Sequence, residues 1–481
     1  MEFNTLFFIF IYLPLFIGIM YFIKNNKIRN IIVIIFSLFF YYSGCKQYFL
    51  LLILISLITY LFARKVKGNS IVYVLYLIIM IGTLALFKYH QTIVNILIKI
   101  GTGAVFSELI MPLGVSFYTF TAISYVSDVY YEKYDYEKNY FNILSFLTFF
   151  PVVVSGPLIR YDNYKSFLNN KEISADGISE GLRRFIIGLA KKMIIANQAA
   201  NVVAKLFAVD TKLNFALAWY ALIAYAIQSF FDFSGYTDMA IGIGQMIGYK
   251  LPENFDNPYF SHSISEYWRR WHMTLGAWFK DYVFYPLLGS KFLQTISKKF
   301  NNKKVGRNIA KVLALLVVWL LTGMWHGATI NYIFWGLFNG FFIILEVLLE
   351  SKYKSLKTFF HIDDKTKVWK AFQIIRTNFL LMFKNLLAKC TGVAQIGYFI
   401  KCCLGFNGFV NIVYVRQLNV LYILYFVIIG IIFLFPFVHK IIDKLKNRFL
   451  VLYDVSLLII MFISICYIVS GSYSSFLYFN F

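Results

Sequence analysis

Apolar runs of nearly membrane-spanning length recur from one end of the chain to the other, and they restrict it to folds that lipid can solvate. A helix needs about 20 apolar residues to cross the hydrocarbon core, and a spanning segment must satisfy its own backbone polar groups. The runs cover residues 6–23, 31–42, 48–63, 71–87, 312–322, 330–345, 421–439 and 452–469. Some of them need flanking residues to reach spanning length. Since 60% of the 481 residues are hydrophobic and only 14% charged, we predict an all-α polytopic integral membrane protein with a single transmembrane domain over residues 1–481.

The formal net charge of +23 comes from Lys and Arg residues that stand in short clusters between the apolar runs. No continuous basic face with interleaved aromatic residues is present in the sequence, so a nucleic-acid partner is not expected. The clusters at residues 24–29 and 64–67 follow the first and third runs, which predicts cytoplasmic loops there and an N-terminus outside. The excess positive charge also suits contact with anionic membrane lipid.

The cysteines and glycines predict neither a metal site nor a bound cofactor. The five cysteines form no CxxC pair and show no Cys/His spacing typical of metal ligands. The run GIGQMIG at residues 242–248 places its third glycine one position too late for a dinucleotide-binding loop. We predict instead that Gly244 and Gly248 allow two helices to pack closely.

One histidine, His326, stands in the middle of an uncharged stretch between Lys311 and Glu346. An ionisable side chain at membrane depth is costly and therefore indicates function, and imidazole is suited to proton transfer near neutral pH. Gly323 and Gly327 flank it, which we interpret as room for a substrate to approach the ring. The alternative is a buried histidine that only hydrogen-bonds a neighbouring helix.

Residues 230–289 are too rich in aromatic and charged side chains for a lipid-facing helix and too apolar for a solvated loop. They fit an interfacial or re-entrant element that lines a cavity. The capping-box pattern SISE at residues 263–266 predicts a helix that starts near Ser263 and runs through His272. That helix would present one face formed by Tyr267, Trp271, Leu275 and Trp278.

Charged residues in the same segment admit both a structural and a binding interpretation. Arg269 and Arg270 beside His272 suit either lipid headgroups or the clamping of a phosphate or carboxylate. Asp232 and Asp238 stand within an apolar run, so we expect ion-pair partners for them, supplied by Arg269, Arg270 or a helix N-terminus.

Residues 151–157, with the sequence PVVVSGP, predict a broken span that shapes a cavity, with Arg160 at its mouth.

Four motifs stand out in the sequence: DFSGYTDMA at residues 232–240, NFDNPY at 254–259, SEYWRRWH at 265–272 and MWHG at 324–327. Together they resemble the membrane-bound O-acyltransferase superfamily and, within it, the alginate O-acetylation branch. The C-terminal sequence FLYFNF at 476–481 is similar to the usual ending of that branch. The resemblance is specific over residues 111–346 and looser outside them.

The resemblance implies a helical bundle with re-entrant helices around a central funnel, in the bacterial inner or cytoplasmic membrane. It implies that His326 is the essential catalytic histidine and His272 a second, supporting one. The candidate substrate-binding residues are Trp325, Trp271, Arg269, Arg270, Asp238 and Lys280. Such proteins take an acyl group from a cytoplasmic thioester, acetyl-CoA or an acyl carrier protein, and pass it to an exported or cell-wall polysaccharide with an extracytoplasmic acetyltransferase or acceptor protein as partner.

Three departures from the family pattern concern the acyl-donor or partner contact more than the chemistry. Lys280, in WFKDY at residues 278–282, stands where the family usually has arginine. Leu288 precedes Gly289 where a glycine pair is usual, and MFKN at residues 382–385 replaces an aromatic-aromatic-Arg-Ala pattern. Both lysines keep the charge but lose the two-pronged hydrogen bonding of arginine.

Two other functions remain open from the sequence. The sister branch of the same superfamily transfers D-alanine to teichoic acids. A proton-coupled transporter or flippase would use the intramembrane His and Asp residues as a proton relay, with discontinuous helices near residues 151–157. The sequence shows no inverted repeat of the kind common in such transporters.

Overall fold

The computed structural model describes residues 1–100, 109–169, 172–208, 211–410, 423–471 and 476. Within these residues the regular structure is helical, and β-type pairing is limited to one isolated antiparallel bridge between Phe255 and Trp271. Of the C-terminal motif at 476–481, all but Phe476 lies outside the described residues, as do positions 421–422 of one predicted span. The predicted all-α membrane class is confirmed.

The chain divides into two compact units of similar size. The first unit comprises Met1–Ala190, Phe233–Glu253 and Asp454–Phe481, and the second comprises Lys191–Asp232 and Asn254–Tyr453. The prediction of a single domain over residues 1–481 stays a prediction.

Helices α1 to α9 belong to the first unit, and α10 and α12 to α21 to the second; α11 and α22 contribute residues to both. The bounds are α1 Leu13–Phe22, α2 Asn26–Gly44, α3 Phe49–Ala63, α4 Ser70–Lys99, α5 Val115–Tyr130, α6 Tyr140–Thr148, α7 Phe150–Val153, α8 Tyr161–Asn169, α9 Ala175–Ala190, α10 Asn197–Leu206, α11 Phe215–Met246, α12 Ile264–Arg270, α13 Met273–Phe279, α14 Tyr285–Gly289, α15 Lys291–Lys298, α16 Lys303–His326, α17 Ile330–Phe359, α18 Lys367–Lys389, α19 Val393–Cys403, α20 Leu424–Leu434, α21 Pro436–Arg448 and α22 Leu450–Val469. Three π-helical stretches add Phe8–Tyr12, Lys191–Ala196 and Lys280–Phe284, and two 3₁₀ turns add Lys46–Tyr48 and Pro258–Phe260.

Several helices begin at an asparagine whose side chain caps the first turn. Asn25 accepts hydrogen bonds from the backbone of Lys27 and Ile28, and Asn302 accepts them from Lys304 and Val305. These bonds satisfy backbone N–H groups that have no partner inside the helix. The caps therefore fix where α2 and α16 start, immediately before their apolar stretches.

Seven helices in the described part of the chain are long and apolar enough to cross a membrane. An eighth span results if α20 and α21, which are bent by 79°, count as one. The sequence missed α11, because Asp232 and Asp238 and its small polar residues mask its apolar character. The run at 6–23 forms a π-helix that leads into α1; the combined helix Phe8–Phe22 is one of the shorter apolar helices and is not among the seven.

Glycines seven residues apart bring α9 and the last part of α11 into close contact within the first unit. A Cβ added at Gly181 would lie 2.4 Å from the carbonyl oxygen of Gly242, and one added at Gly188 would lie 2.6 Å from that of Gly235. Small residues thus allow the two backbones to approach. The prediction for Gly244 and Gly248 was wrong: both belong to the turn that ends α11.

That turn explains why residue 248 is glycine. Gly248 has φ +78°, in the left-handed region, and its added Cβ would lie 2.3 Å from the carbonyl oxygen of Glu172. The Tyr249 N–H donates to the Gly244 carbonyl at 2.8 Å, which closes the helix end in the usual glycine-terminated form.

Candidate active site

His326 is the last residue of α16, at the tip of a helical hairpin formed by α16 and α17. The connection consists of residues 327–329 alone, and the contacts of Gly323 with Tyr332 and of Trp319 with Gly340 show that the two helices run antiparallel. The separate runs predicted at 312–322 and 330–345 correspond to these two helices, and His326 lies in the short interval between the runs, where α16 ends.

The charged ends of both hairpin helices lie at the end opposite His326. From Val312 to His326 the apolar part of α16 is 15 residues long, or about 22 Å at 1.5 Å per residue. A hydrocarbon core is about 30 Å thick. With Lys311 and Glu346 at one membrane surface, this length holds the imidazole at membrane depth.

The glycines around His326 serve the packing of the hairpin. A Cβ added at Gly323 would lie 2.5 Å from the carbonyl oxygen of Tyr332, and one at Gly327 would lie 2.5 Å from the Tyr332 ring. The interpretation of these glycines as room for a substrate was therefore wrong. Their open sides are filled by α17.

Three aromatic rings surround the half-buried imidazole of His326. The centroid of the Trp335 ring lies 4.4 Å from that of the imidazole, Trp325 lies at 4.6 Å, and Tyr332 lies roughly parallel to it at 5.9 Å. Trp325 and Trp335 are buried, at 6% and 4% exposure. The rings limit the directions from which a hydroxyl can reach the imidazole.

His272 is buried, and its backbone is held from several sides. It has φ +46° and ψ +52°, the left-handed region, between α12 and α13. The fully buried Asn254 places its Oδ1 3.3 Å from His272 Nδ1 and accepts hydrogen bonds from the backbone N–H and the hydroxyl of Thr274. The Met273 N–H donates to the Asn254 carbonyl at 3.0 Å. Asn254 thus fixes both the ring and the chain beside it.

Burial also controls the protonation of this ring. His272 lies outside the seven candidate spans, and desolvation lowers the pKa of its imidazole from 6.5 to about 3. The ring is therefore neutral around pH 7, able to donate one hydrogen bond and accept another.

The predicted helix from Ser263 through His272 begins as expected but ends early. Ser263 caps it by accepting a hydrogen bond from the Glu266 N–H, whereas the last helical residue is Arg270. Trp271 is extended because it pairs with Phe255, and the Asp256 N–H donates to the Arg270 carbonyl at 3.0 Å. Trp271, Leu275 and Trp278 therefore do not continue one helical face from Tyr267.

Trp268 joins the helix that precedes His272 to the hairpin that carries His326. Its ring lies 5.0 Å from Trp319 and 5.5 Å from Trp335, and its Nε1–H donates to Asn339 Oδ1 at 3.1 Å. Because Trp335 also contacts His326, Trp268 and Trp335 connect α12, the helix before His272, to His326. Both tryptophans were absent from the predicted site residues.

The predicted binding cations occupy different settings. Arg270 forms an ion pair with Glu266 at 2.6 Å, so its guanidinium is already engaged. Arg269 is exposed. Lys280 is exposed in a π-helical turn with its ammonium 5.5 Å from the Tyr285 ring centroid. Their roles in binding stay predictions.

The two aspartates of the 232–240 motif have lysine and arginine partners that differ from those predicted. In the second unit Lys192 forms a fully buried ion pair with Asp232 at 2.6 Å. In the first unit Arg184 contacts Asp238 at 3.0 Å and also pairs with Glu253. The expectation of ion pairs was right and that of Arg269 or Arg270 as partners was wrong. Asp238 belongs to the first unit, and the other predicted site residues to the second.

Two further predictions concern the first unit and metal binding. In the first unit, α7 covers only Phe150–Val153 and Gly156 has φ +114°, as a broken segment requires. A cavity-shaping role for this segment stays a prediction. Over the described ranges, no three His, Cys, Asp or Glu side chains converge as metal ligands would.

A buried lysine from α18 completes the surroundings of the His272 segment. Lys384 is 7% exposed and donates a hydrogen bond to the Tyr267 hydroxyl at 3.0 Å. The sequence identified this position only as a departure from a family pattern. A charged residue amid FLLMFKNLLA was the available signal.

Comparison with known proteins identifies the family. The model of the MBOAT, membrane-bound O-acyltransferase family, matches residues 131–388. This range covers more than half of the chain, and the chain belongs to this family. The resemblance drawn from the four motifs is confirmed, and the matched range extends to include Lys384.

Curated relatives carry three kinds of name. A probable alginate O-acetylase of Pseudomonas syringae pv. tomato is 33% identical over an alignment of 358 residues that covers 72% of this chain and 66% of that protein. A peptidoglycan O-acetyltransferase of Helicobacter pylori is 33% identical over an alignment of 380 residues that covers 70% of this chain and 69% of that protein. A teichoic acid D-alanyltransferase of Bacillus subtilis is 34% identical over 239 residues, 48% and 58% respectively. The match thus spans slightly less than two thirds of the Pseudomonas syringae relative.

Proposed function

We propose that this protein is a membrane O-acyltransferase that moves an acetyl group from a cytoplasmic thioester donor across the membrane, for the O-acetylation of an exported or cell-wall polysaccharide. The observation that carries the proposal is a half-buried histidine at the tip of an apolar hairpin, in a chain of the acyltransferase family. Two relatives named as O-acetylating enzymes support acetyl as the group.

In the proposed reaction His326 acts as the general base. Its imidazole takes the proton of an acceptor hydroxyl, and the hydroxyl oxygen attacks the carbonyl carbon of the thioester. The C–O bond forms, the C–S bond breaks, and the thiolate leaves with the proton that His326 accepted. Aromatic rings around the imidazole keep water from competing with the acceptor.

His272 and its neighbours serve the oxyanion and the donor in this proposal. Because its Nδ1–H donates to Asn254, the neutral His272 ring presents an unprotonated Nε2, which orients the donor by accepting a hydrogen bond. The Trp271 indole N–H donates to the oxygen on which negative charge develops. Trp271 and Trp325 line the reacting groups, and Arg269 and Lys280 contact the phosphates of the donor, which is acetyl-CoA or an acyl carrier protein. Arg270 contributes through Glu266, and Asp238 supports the structure.

The proposed setting is the bacterial inner or cytoplasmic membrane. An extracytoplasmic acetyltransferase or acceptor protein receives the group or presents the polysaccharide to it. The test replaces His326 with alanine in cells that carry no other copy of the protein, and measures alkali-labile acetate in the exported and wall polysaccharides. His439→Ala, on the exposed helix α21, is the matched control.

We expect His326→Ala to lower polymer acetate by about 100-fold or more, the scale of general-base catalysis, and His439→Ala to leave it unchanged. Tagged protein must be inserted and monodisperse in detergent at equal amounts. Unchanged acetate in the His326 variant rules out the proposal.

The teichoic acid D-alanyltransferase relatives favour a second candidate, transfer of D-alanine. Cells are supplied with labelled acetate in one culture and labelled D-alanine in another, and the ester-linked label in the wall polymer is identified. If the wall polymer carries ester-linked label from D-alanine and that label disappears in the His326 variant, the transferred group is D-alanyl and not acetyl.

A further inference from the structure

Lys384 places an ammonium group among three aromatic rings inside the second unit. The ring centroid of Tyr267 lies 4.9 Å from Lys384 Nζ, that of Trp271 lies at 5.3 Å and that of Trp268 at 5.5 Å. We call these three residues the aromatic cage. The Tyr267 hydroxyl accepts a hydrogen bond from the same nitrogen at 3.0 Å.

A buried ammonium is costly unless its surroundings stabilise the charge. Lys384 lies outside the candidate spans, and desolvation lowers the pKa of its ammonium to about 7. None of the ion pairs in the described part of the chain includes Lys384. Stabilisation of the charged form therefore comes from the ring faces, whose quadrupoles attract cations, and from the Tyr267 hydroxyl.

The cage lies on the segment that ends at His272. Tyr267 and Trp268 belong to the last turns of α12, and Trp271 immediately precedes the histidine. The rings of Tyr267 and Trp271 lie 5.5 Å apart and nearly parallel, at 21°. Trp268 continues the contact to Trp335 beside His326. One cation thus contacts three aromatic side chains of the segment that leads to His272, and one of them, Trp268, contacts Trp335 beside His326.

We propose that Lys384 is a positioning residue for the acyl transfer: its charge holds the aromatic cage in the arrangement that orients the His272 imidazole. The inference rests on the proposed function. Lys384 itself has no role in binding the donor, because it is 7% exposed and its ammonium is enclosed by the cage.

A charge-removing substitution separates positioning from folding. Methionine is similar in length to lysine, tolerates irregular apolar sites and makes favourable contacts between sulfur and aromatic rings. Lys384→Met therefore keeps the packing while removing the charge and the hydrogen bond to Tyr267. Lys384→Arg keeps a cation that also interacts with ring faces. Lys370→Met, at an exposed position of the same helix, is the matched control.

The variants are compared in inside-out membrane vesicles supplied with radiolabelled acetyl-CoA, with alkali-labile label in the polymer as the readout. For Lys384→Met we expect unchanged thermal stability in detergent, a KM within about 3-fold of wild type and a kcat about 10- to 100-fold lower, the scale of a small misplacement of catalytic groups. Lys384→Arg restores most of the kcat, and Lys370→Met matches wild type.

Two outcomes overturn the inference: a folded Lys384→Met variant with wild-type kcat, or a raised KM with unchanged kcat, which would make Lys384 a donor-binding residue. If Lys384→Met does not fold, Lys384→Gln is measured by the same criteria. Equal rates in wild type and His326→Ala would instead contradict the proposed function itself, so the two failures are distinguishable.

Discussion

The contact between α16 and α17 predicts a large effect from a single added methyl group. Gly336 is buried in the second turn of α17, near the tip of the hairpin, and a Cβ there would lie 2.4 Å from the carbonyl oxygen of Trp319 and 3.1 Å from the Cα of Gly323. Ordinary van der Waals contact begins at 3.4 Å. The obstructing atoms are backbone, so no side-chain rotation relieves the overlap, and the helices must separate by about 1 Å.

Gly336→Ala therefore displaces His326 relative to α17 and its ring Trp335. A misplacement of about 1 Å can lower a catalytic rate about 100-fold, and overpacking costs about 1–3 kcal/mol of stability. The matched control is Gly82→Ala within α4, another candidate span, where an added Cβ meets nothing within 4 Å. We expect that control to be neutral or slightly stabilising.

The assay measures acetate esters in the polymer per folded molecule, with fluorescence-detected size exclusion to count folded protein. A Gly336→Ala variant with wild-type acetate and wild-type melting temperature would refute the reasoning, since the close contact would then carry no constraint. The reasoning is also refuted if Gly336→Ala and Gly82→Ala give equal acetate and equal melting temperatures, whether both variants are impaired or both are intact.

Two further predictions concern the surroundings of His272. Asn254→Ala leaves the Thr274 hydroxyl, the Thr274 N–H and the His272 ring without their shared acceptor, so we expect the free energy of unfolding to fall by about 2–3 kcal/mol and the rate of acetyl transfer to fall sharply. Asn302→Ala, at the exposed cap of α16, is the control. Thermal unfolding in detergent and polymer acetate are measured for both variants. The pKa of His272 is about 3 in the folded protein and about 6.5 in the unfolded chain. Below pH 6.5 the unfolded chain therefore binds a proton that the folded protein does not. The free energy of unfolding keeps its full value above that pH and falls by about 2 kcal/mol on going to pH 5. Melting curves of wild type and His272→Gln across this range measure the difference, and equal pH slopes would contradict it.

The histidines and their motif context were predictable because ionisable residues stand out against apolar sequence. His326 and His272 needed no structure to be noticed, and the start of α12 at Ser263 followed from its cap. Their partners were not predictable. Asn254 and Lys384 contact the His272 segment across 18 residues and 117 residues of sequence, and one chain without its fold carries no signal that pairs them.

Errors in the sequence prediction came from reading glycine and charge locally. Gly323 and Gly327 were interpreted as open space, whereas the adjacent helix fills it. The sequence prediction paired Asp232 with arginines of the neighbouring 265–272 motif, whereas its partner Lys192 lies 40 positions earlier in the chain. The end of α12 was missed because Trp271 gives up its helical position to pair with Phe255, a competition that helix propensity alone does not describe.

The hairpin couples the depth of His326 to its direction. An α-helix advances 1.5 Å and turns 100° with each residue, so one residue inserted into α16 between Lys311 and Gly323 would both shift the imidazole and rotate it to a different face. Compensation would require a matched insertion in α17, because Gly323 and Gly336 would otherwise lose their register. Packing of the hairpin therefore fixes the number of residues in this stretch more strictly than it fixes which apolar amino acids fill it.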